Sequence, residues 1–248
     1  MSEGIRVIPL EGIPEVEEGD DLAGLLVEAA ARAGGLEDAD VLVVAQKAVS
    51  KAEGRVVRLA DVEPSPRAFE LAGDDRDPRH VEVILRESAQ VVRVRPPLVI
   101  SETRHGFVCA SAGVDASNAK GEGTLVLLPL DPDASAEELR EAIGARTGCD
   151  VGVIVSDSFG RPFRQGTTEV ALGSAGITPM LDLRGVRDRM GYELHATQIA
   201  VADELAAAAE LVMGKVAGIP AAVIRGLDLR GEGRAGEIVI PEERDLFR

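Results

Sequence analysis

The chain has 248 residues, 45% of them hydrophobic, and carries a formal net charge of −16. This length and apolar content bury a sizeable core and exclude a disordered chain. A surface this acidic excludes nucleic acid and anionic membrane as main partners, because phosphate backbones need a broad basic face, whereas a small phosphorylated ligand needs only a local basic pocket. No apolar run approaches the roughly 20 residues that span a bilayer. The first thirty residues lack a basic region followed by an apolar stretch, so no signal peptide and a cytoplasmic setting are expected.

In chain order, Asp21–Ala33 reads as a helix, acidic at its start, with Leu22, Leu25, Leu26 and Ala29 at helical spacing and Gly34-Gly35 as its stop. Val41–Ala45 is a short apolar run and predicts a buried strand. Pro78–Ser88 predicts a helix with proline in its first turn. Alternation over Gln90–Arg95 suits a half-buried strand, and Leu98–Ser101 with Gly106–Ala112 predicts a strand pair around a Glu-Thr-Arg-His turn. Leu125–Leu128 is a further strand. Ser135 with Glu138 reads as a capping box opening a helix to about Thr147. Val151–Val155 predicts a buried strand, Gln198–Met213 a long helix closed by Gly214, and Ala221–Ile224 the last strand. Asp74–Pro78 and Leu130–Asp133 are the best internal breaks, neither long enough to separate domains, so one domain over 1–248 is expected.

Scarce residues narrow the search for chemistry. Only four of the 27 basic residues are lysines, Lys47, Lys51, Lys120 and Lys215, and Asn118 is the single asparagine. Arginine over lysine and few amides fit a GC-rich genome or a hot habitat alike. Cys109 and Cys149 form no CxxC pair, and His80, His105 and His195 lie far apart, which argues against a zinc cluster or disulfide framework. The histidines read as structural, with His105 in a turn the one most open to a ligand.

Asp157 follows the apolar strand in DVGVIVSDSFGRPFR, with the Ser158 hydroxyl beside it. A carboxylate at the C-terminal end of a buried strand sits at the rim of a sheet, where open α/β sheets bind ligands. Asp115 lies in CASAGVDASNAKGEG, where small residues let backbone approach a ligand. Such oxygens suit magnesium or manganese, which bind polyphosphates together with protein; the alternative is that each aspartate caps a turn. Arg161 and Arg164, then Arg184, Arg187 and Arg189, form basic clusters that match an anion or pair with nearby acids. Lys47 and Lys51, in VVAQKAVSKAEGR after a strand, reach ligand phosphates or line a solvated helix face. Gly231, Gly233 and Gly236 spell GxGxxG, but only twelve residues follow and they begin like a strand, so a dinucleotide site is rejected. There is no GxxxxGK[ST] and hence no P-loop.

The segments VIPLEGIPEVEEGDDL, VVAQKAVSKAEGR, CASAGVDASN, PLDPDASAEELR, VIVSDSFGRPFRQG, MLDLRG at 180–185 and IPAAVIRGL resemble, in order and over nearly the whole chain, the coenzyme F-420:L-glutamate ligase family. AGVDASN and SDSFGR are the specific motifs. The resemblance implies an unusual mixed α/β (α+β) ligase fold with two lobes and an intertwined homodimer. It implies a GTP-dependent enzyme using magnesium or manganese, two ions in all, with potassium a further candidate. The phospholactyl carboxylate of a deazaflavin phosphodiester would be activated and joined to L-glutamate, and a second glutamate added through its γ-carboxylate. Asp115, Asp157 and Ser158 match the family's metal positions, with Asp115, Asp157 and Arg161 the expected catalytic set. Ile13, Pro14, Glu15, Val16, Gln46, Lys47, Lys51 and Asn118 match GTP-contacting segments, as does the loop Met213, Gly214, Lys215, Val216, Ala217 and Gly218. Lys215 stands where many relatives carry an acid, which puts a full ligand set for the second metal in doubt; phosphate contact is the other role it suggests. Some relatives carry a C-terminal flavin-reductase domain; with the sequence ending at Arg248, none is expected here.

Overall fold

The run Val41-Leu42-Val43-Val44 is apolar at every position because both of its faces are covered, as the computed structural model of residues 4–74 and 76–246 shows. In chain order the elements are β1 (Arg6–Pro9), α1 (Leu22–Arg32), β2 (Val41–Ala45), α2 (Gln46–Ala52), β3 (Val56–Arg58), α3 (Pro66–Ala72), α4 (Pro78–Glu87), β4 (Ser88–Arg95) and β5 (Leu98–Thr103). They continue with β6 (Val108–Ala110), β7 (Thr124–Val126), α5 (Pro132–Thr147), β8 (Gly152–Gly160), β9 (Thr167–Ala175), β10 (Leu181–Asp182), β11 (Gln198–Ile199), α6 (Val201–Met213) and β12 (Ala221–Arg225). The fold is mixed α/β, and none of its helices is long and apolar enough to cross a membrane. Asp75, within the break at 74–78, lies outside the described residues.

The main sheet has the order β1-β12-β2-β8-β9, with only the β2–β8 pair parallel. Leu42, Val44, Val153 and Val155 point to a core shared with Leu26 of α1 and Ile143 of α5. Val41, Val43, Ile154 and Ile224 point to the other face, packed on Leu205, Ala206 and Ala209 of α6. The period-two alternation of a strand thus feeds two separate cores from one apolar run. A buried pair locks this region: Asp40, 1% exposed, accepts from Arg225 Nε at 2.8 Å and Nη2 at 2.6 Å. Residues 54–130 build smaller sheets, β3-β7 and β4-β5-β6, with their own apolar cluster around Ile84, Val99 and Leu125.

Several expected boundaries are corrected. Helix α5 begins at Pro132, capped by the Asp131 carboxylate accepting from Ala134 N at 3.0 Å; Pro132 presets the first turn. The Ser135 hydroxyl, expected as the cap, lies inside the helix and donates to Glu53. Helix α6 begins at Val201, because Gln198 and Ile199 pair with Asp182 and Leu181. The last glycine-rich segment does not open a strand: Ala235–Ile238 is a 3₁₀ turn, and Gly231 and Gly233 lie against Thr178 and Pro179 with no room for a Cβ. The strand β9 and the N-terminal β1 carry no prediction from sequence.

Candidate active site

The register of the main sheet gathers distant segments at one rim. Parallel pairing sets Ala45 opposite Ser156, so Gln46 and Lys47 leave the sheet beside Asp157. Antiparallel pairing of β12 with β2 puts Pro220 there too, its carbonyl accepting from Ala45 N at 2.8 Å. β1 runs antiparallel to β12, and Leu10 N donates to Ala221 O at 2.9 Å, which delivers Ile13–Val16 to the same end. Ligand sites of such sheets lie at this kind of rim.

A cleft of about 310 Å³ opens there. Ile13, Pro14, Glu15 and Val16 line one side. Gln46, Lys47 and Lys51 of α2 line it with Asn118, and Met213, Gly214, Lys215, Val216 and Gly218 close it from the end of α6. Asp157 lies in the floor with Ser156, Glu169 and Glu210. Fourteen of the expected positions therefore line one cleft; Asp115 and Ser158 do not line it but are bonded to Lys47 and Lys215, which do. Ala217 belongs to the same loop without lining the cleft. Arg161 does not reach it either: it is exposed in the turn after β8, and Nη2 donates to Gln165 O at 3.4 Å. Arg184 is spent on Asp182 and Arg187 on the carbonyl of Gly191, and none of the five clustered arginines lines the cleft. His105 Nε2 donates to Leu130 O at 3.1 Å and the ring stacks on Phe107, away from the cleft.

Lys47 and Lys51 stand four residues apart, on one face of α2. Lys47 Nζ donates to Asp115 Oδ2 and to Ser117 Oγ, both at 2.6 Å. Lys51 Nζ donates to Glu15 and, at 2.7 Å, to the carbonyl of Asn118. The loop carrying Asp115 is tied over this helix by Gln46, which is buried and donates to Leu127 O at 2.7 Å. Its sharp path needs left-handed backbone at Ser111, Ala112, Gly113 and Asn118, which small residues and asparagine tolerate.

The two aspartates meet electrostatically. Burial pushes Asp157 up to about 6, with Asp115 adding to the rise while the Ser158 amide, Lys215 and Lys47 oppose it. Asp115 goes the other way: burial pushes it up, but Lys47 and the Ser117 amide and hydroxyl outweigh that and hold it below the ordinary carboxylate value. Glu169, which sequence reasoning missed, is pushed up to about 7 by burial, then by Asp157 and Glu210, against Ser156 and Lys215. Its only signal was an acid inside an otherwise apolar and small stretch, TTEVALGSA. Burial and Asp157 push the Cys109 thiol up to about 12, which leaves it a poor nucleophile.

Among the described residues no group of three or more His, Cys, Asp or Glu is arranged to hold a metal ion. The oxygen donors at this rim are the carboxylates of Asp115 and Asp157 and the Ser158 hydroxyl, with Asp115 bonded to Lys47 and Ser158 to Lys215. The two carboxylates suit a hard divalent cation whose remaining positions would be filled by phosphate oxygens and water.

Comparison with known proteins agrees with the geometry. The family profile F420-0:Gamma-glutamyl ligase matches residues 12–226. The coenzyme F420:L-glutamate ligase of Methanothermobacter thermautotrophicus is 47% identical, the match covering 99% of each chain. The enzyme of that name from Methanopyrus kandleri is 48% identical over 99% of each chain, and that from Archaeoglobus fulgidus 47% over 98% of this chain and 96% of its own. This chain therefore belongs to the F420-0:gamma-glutamyl ligase family and is an amide-bond-forming ligase.

Proposed function

We propose that the protein uses GTP to join L-glutamate to the phospholactyl-type carboxylate of coenzyme F-420-0, and then adds further glutamate through the γ-carboxylate. The observation that carries this reading is the convergence of Asp157, Lys47, Lys51 and Lys215 on a single cleft, with Asp115 bonded to Lys47, in a protein of net charge −16. Three lysines beside the carboxylates of Glu15, Asp157, Glu169 and Glu210 suit a polyphosphate bound together with a divalent cation, and membership of the ligase family supplies the acceptor chemistry.

A carboxylate does not form an amide without activation. The substrate carboxylate attacks the γ-phosphorus of GTP, giving an acyl phosphate and GDP. The glutamate amine then attacks the acyl carbon, loses a proton, and phosphate departs. Such steps need positioning and charge neutralisation more than covalent work by the protein. Lys51 and Lys47 would offset phosphate charge with their ammonium groups. Gln46 and Asn118 hold the Asp115 loop against α2 and so keep the two walls in register. Magnesium or manganese, held by Asp115 and Asp157, would polarise the phosphoryl oxygens when bound. Any potassium requirement and a homodimeric assembly belong to the same proposal.

The test is direct. Purified protein is incubated with GTP, manganese, glutamate and glutamate-free deazaflavin. Glutamate-dependent GDP release with a mass gain of one glutamyl unit is the expected result. Phosphate release independent of glutamate would replace this reading with a phosphohydrolase, and nucleotide binding without turnover would reduce the protein to a binding module.

A further inference from the structure

Lys215 follows Gly214, which ends α6 in a left-handed conformation and turns the chain sharply. The lysine backbone is exposed, but its side chain reaches back over the sheet and Nζ donates to Ser158 Oγ at 3.0 Å. The same ammonium acts on both Asp157 and Glu169, lowering each against the burial that raises them. One positive charge therefore faces a hydroxyl and two carboxylates contributed by β8 and β9. That is a donor set for a hard divalent cation. A lysine ammonium is a compact, strongly hydrated point charge, and here it is tethered on the hydroxyl oxygen that a second ion would need.

Two cationic centres cannot share the Ser158 oxygen at contact distance without strong mutual repulsion. An acid at position 215 would extend this donor set; the lysine both removes that ligand and adds an opposing charge. Lys47 does not act in the same way. It divides its bonds between Asp115 and Ser117, and among the described residues no side chain donates to Asp157. Asp115 and Asp157 are therefore the carboxylates left to hold one ion.

We propose that the Lys215 ammonium stands in for a second divalent cation, so that each cleft binds one divalent ion and receives its other positive charge from the protein. This rests on the metal–nucleotide reading above. In the ligation, Lys215 would neutralise phosphate oxygen on the Ser158 side while the single ion serves the Asp115 side.

The experiment counts manganese bound to the full chain by electron paramagnetic resonance, in titrations with saturating GDP. The wild type is expected to bind one ion per chain and Lys215→Glu two, with circular dichroism unchanged because the side chain is on an exposed loop. Two ions on the wild type would overturn the inference and leave the metal–nucleotide reading standing. A count that stays at one in Lys215→Glu would also overturn it, since the lysine would then not be what excludes the second ion. No bound manganese in either protein, with GDP present, would overturn the metal–nucleotide reading as well.

Discussion

Asp157 lines the cleft and Asp115 is bonded to Lys47 beside it, and their surroundings move the two in opposite directions. Asp157 rises from the main sheet, where burial lifts it to about 6. Asp115 sits on a loop of the 54–130 region, where Lys47 and Ser117 outweigh burial and hold it low. The sheet wall supplies desolvation, and the loop wall supplies neutralisation. A cation arriving between them would meet one carboxylate already charged and one whose remaining protonated fraction the positive charge would displace. The difference follows from architecture: a strand end in a doubly covered sheet excludes water, whereas a loop laid over α2 meets that helix's two lysines.

The largest expected effect separates the walls by substitution. Asp157→Asn should lower kcat/KM by about 10³-fold or more. Its melting temperature should hold or rise, because a buried charge is removed. Asp115→Asn should also end turnover, yet cost stability, on the order of 1 kcal/mol, because Lys47 loses a charge-assisted bond. Stability shifts of the same sign, read by thermal denaturation, would erase the distinction between the walls. Next in size, Lys51→Ala should raise the KM for GTP by about tenfold with a smaller change for glutamate. Steady-state kinetics with the reverse pattern would remove Lys51 from the phosphate site.

The smallest effect is in the pH dependence of stability. Asp157 and Glu169 bind protons more tightly folded, at about 6 and about 7, than at their ordinary values of 3.8 and 4.5. Raised acids contribute stability that is complete below about pH 4 and is lost as pH climbs through 6 and 7. The metal-free protein should therefore melt at a lower temperature at pH 8 than at pH 5, and Asp157→Asn with Glu169→Gln should flatten that slope. Manganese should flatten it too, by favouring the charged forms. An unchanged slope in the double variant would show that these groups do not carry it.

The sheet itself was open to reading from the residues. Val41–Ala45 and Val151–Val155 are apolar at consecutive positions, and the structure buries both faces of β2 and the start of β8. Helix α5 was visible, but its start was misread, since Ser135 and Glu138 imitate a cap while Asp131 and Pro132 form the real one. Glu169 was invisible because nothing in TTEVALGSA marks which face of β9 is inward until the strand is paired with β8. Arg161 was read as part of the chemistry for its closeness in sequence to Asp157; the turn after Gly160 carries it away from the cleft wall.

Composition and pattern alone were enough for an acidic chain of alternating strands and helices and for Asp115, Asp157, Lys47 and Lys51 as candidates, whereas Ile13–Val16 and Met213–Gly218 came from the family resemblance. Local rules act over a few residues, and strand runs, proline starts and glycine stops are such rules. They could not bring Asp115 to Asp157, set Lys215 on Ser158, or raise one carboxylate while lowering the other. Those depend on a parallel register between β2 and β8, on a loop held across α2 by a buried glutamine, and on water excluded by two cores. Distance and dielectric belong to the packed molecule, and they decide the charge on a side chain.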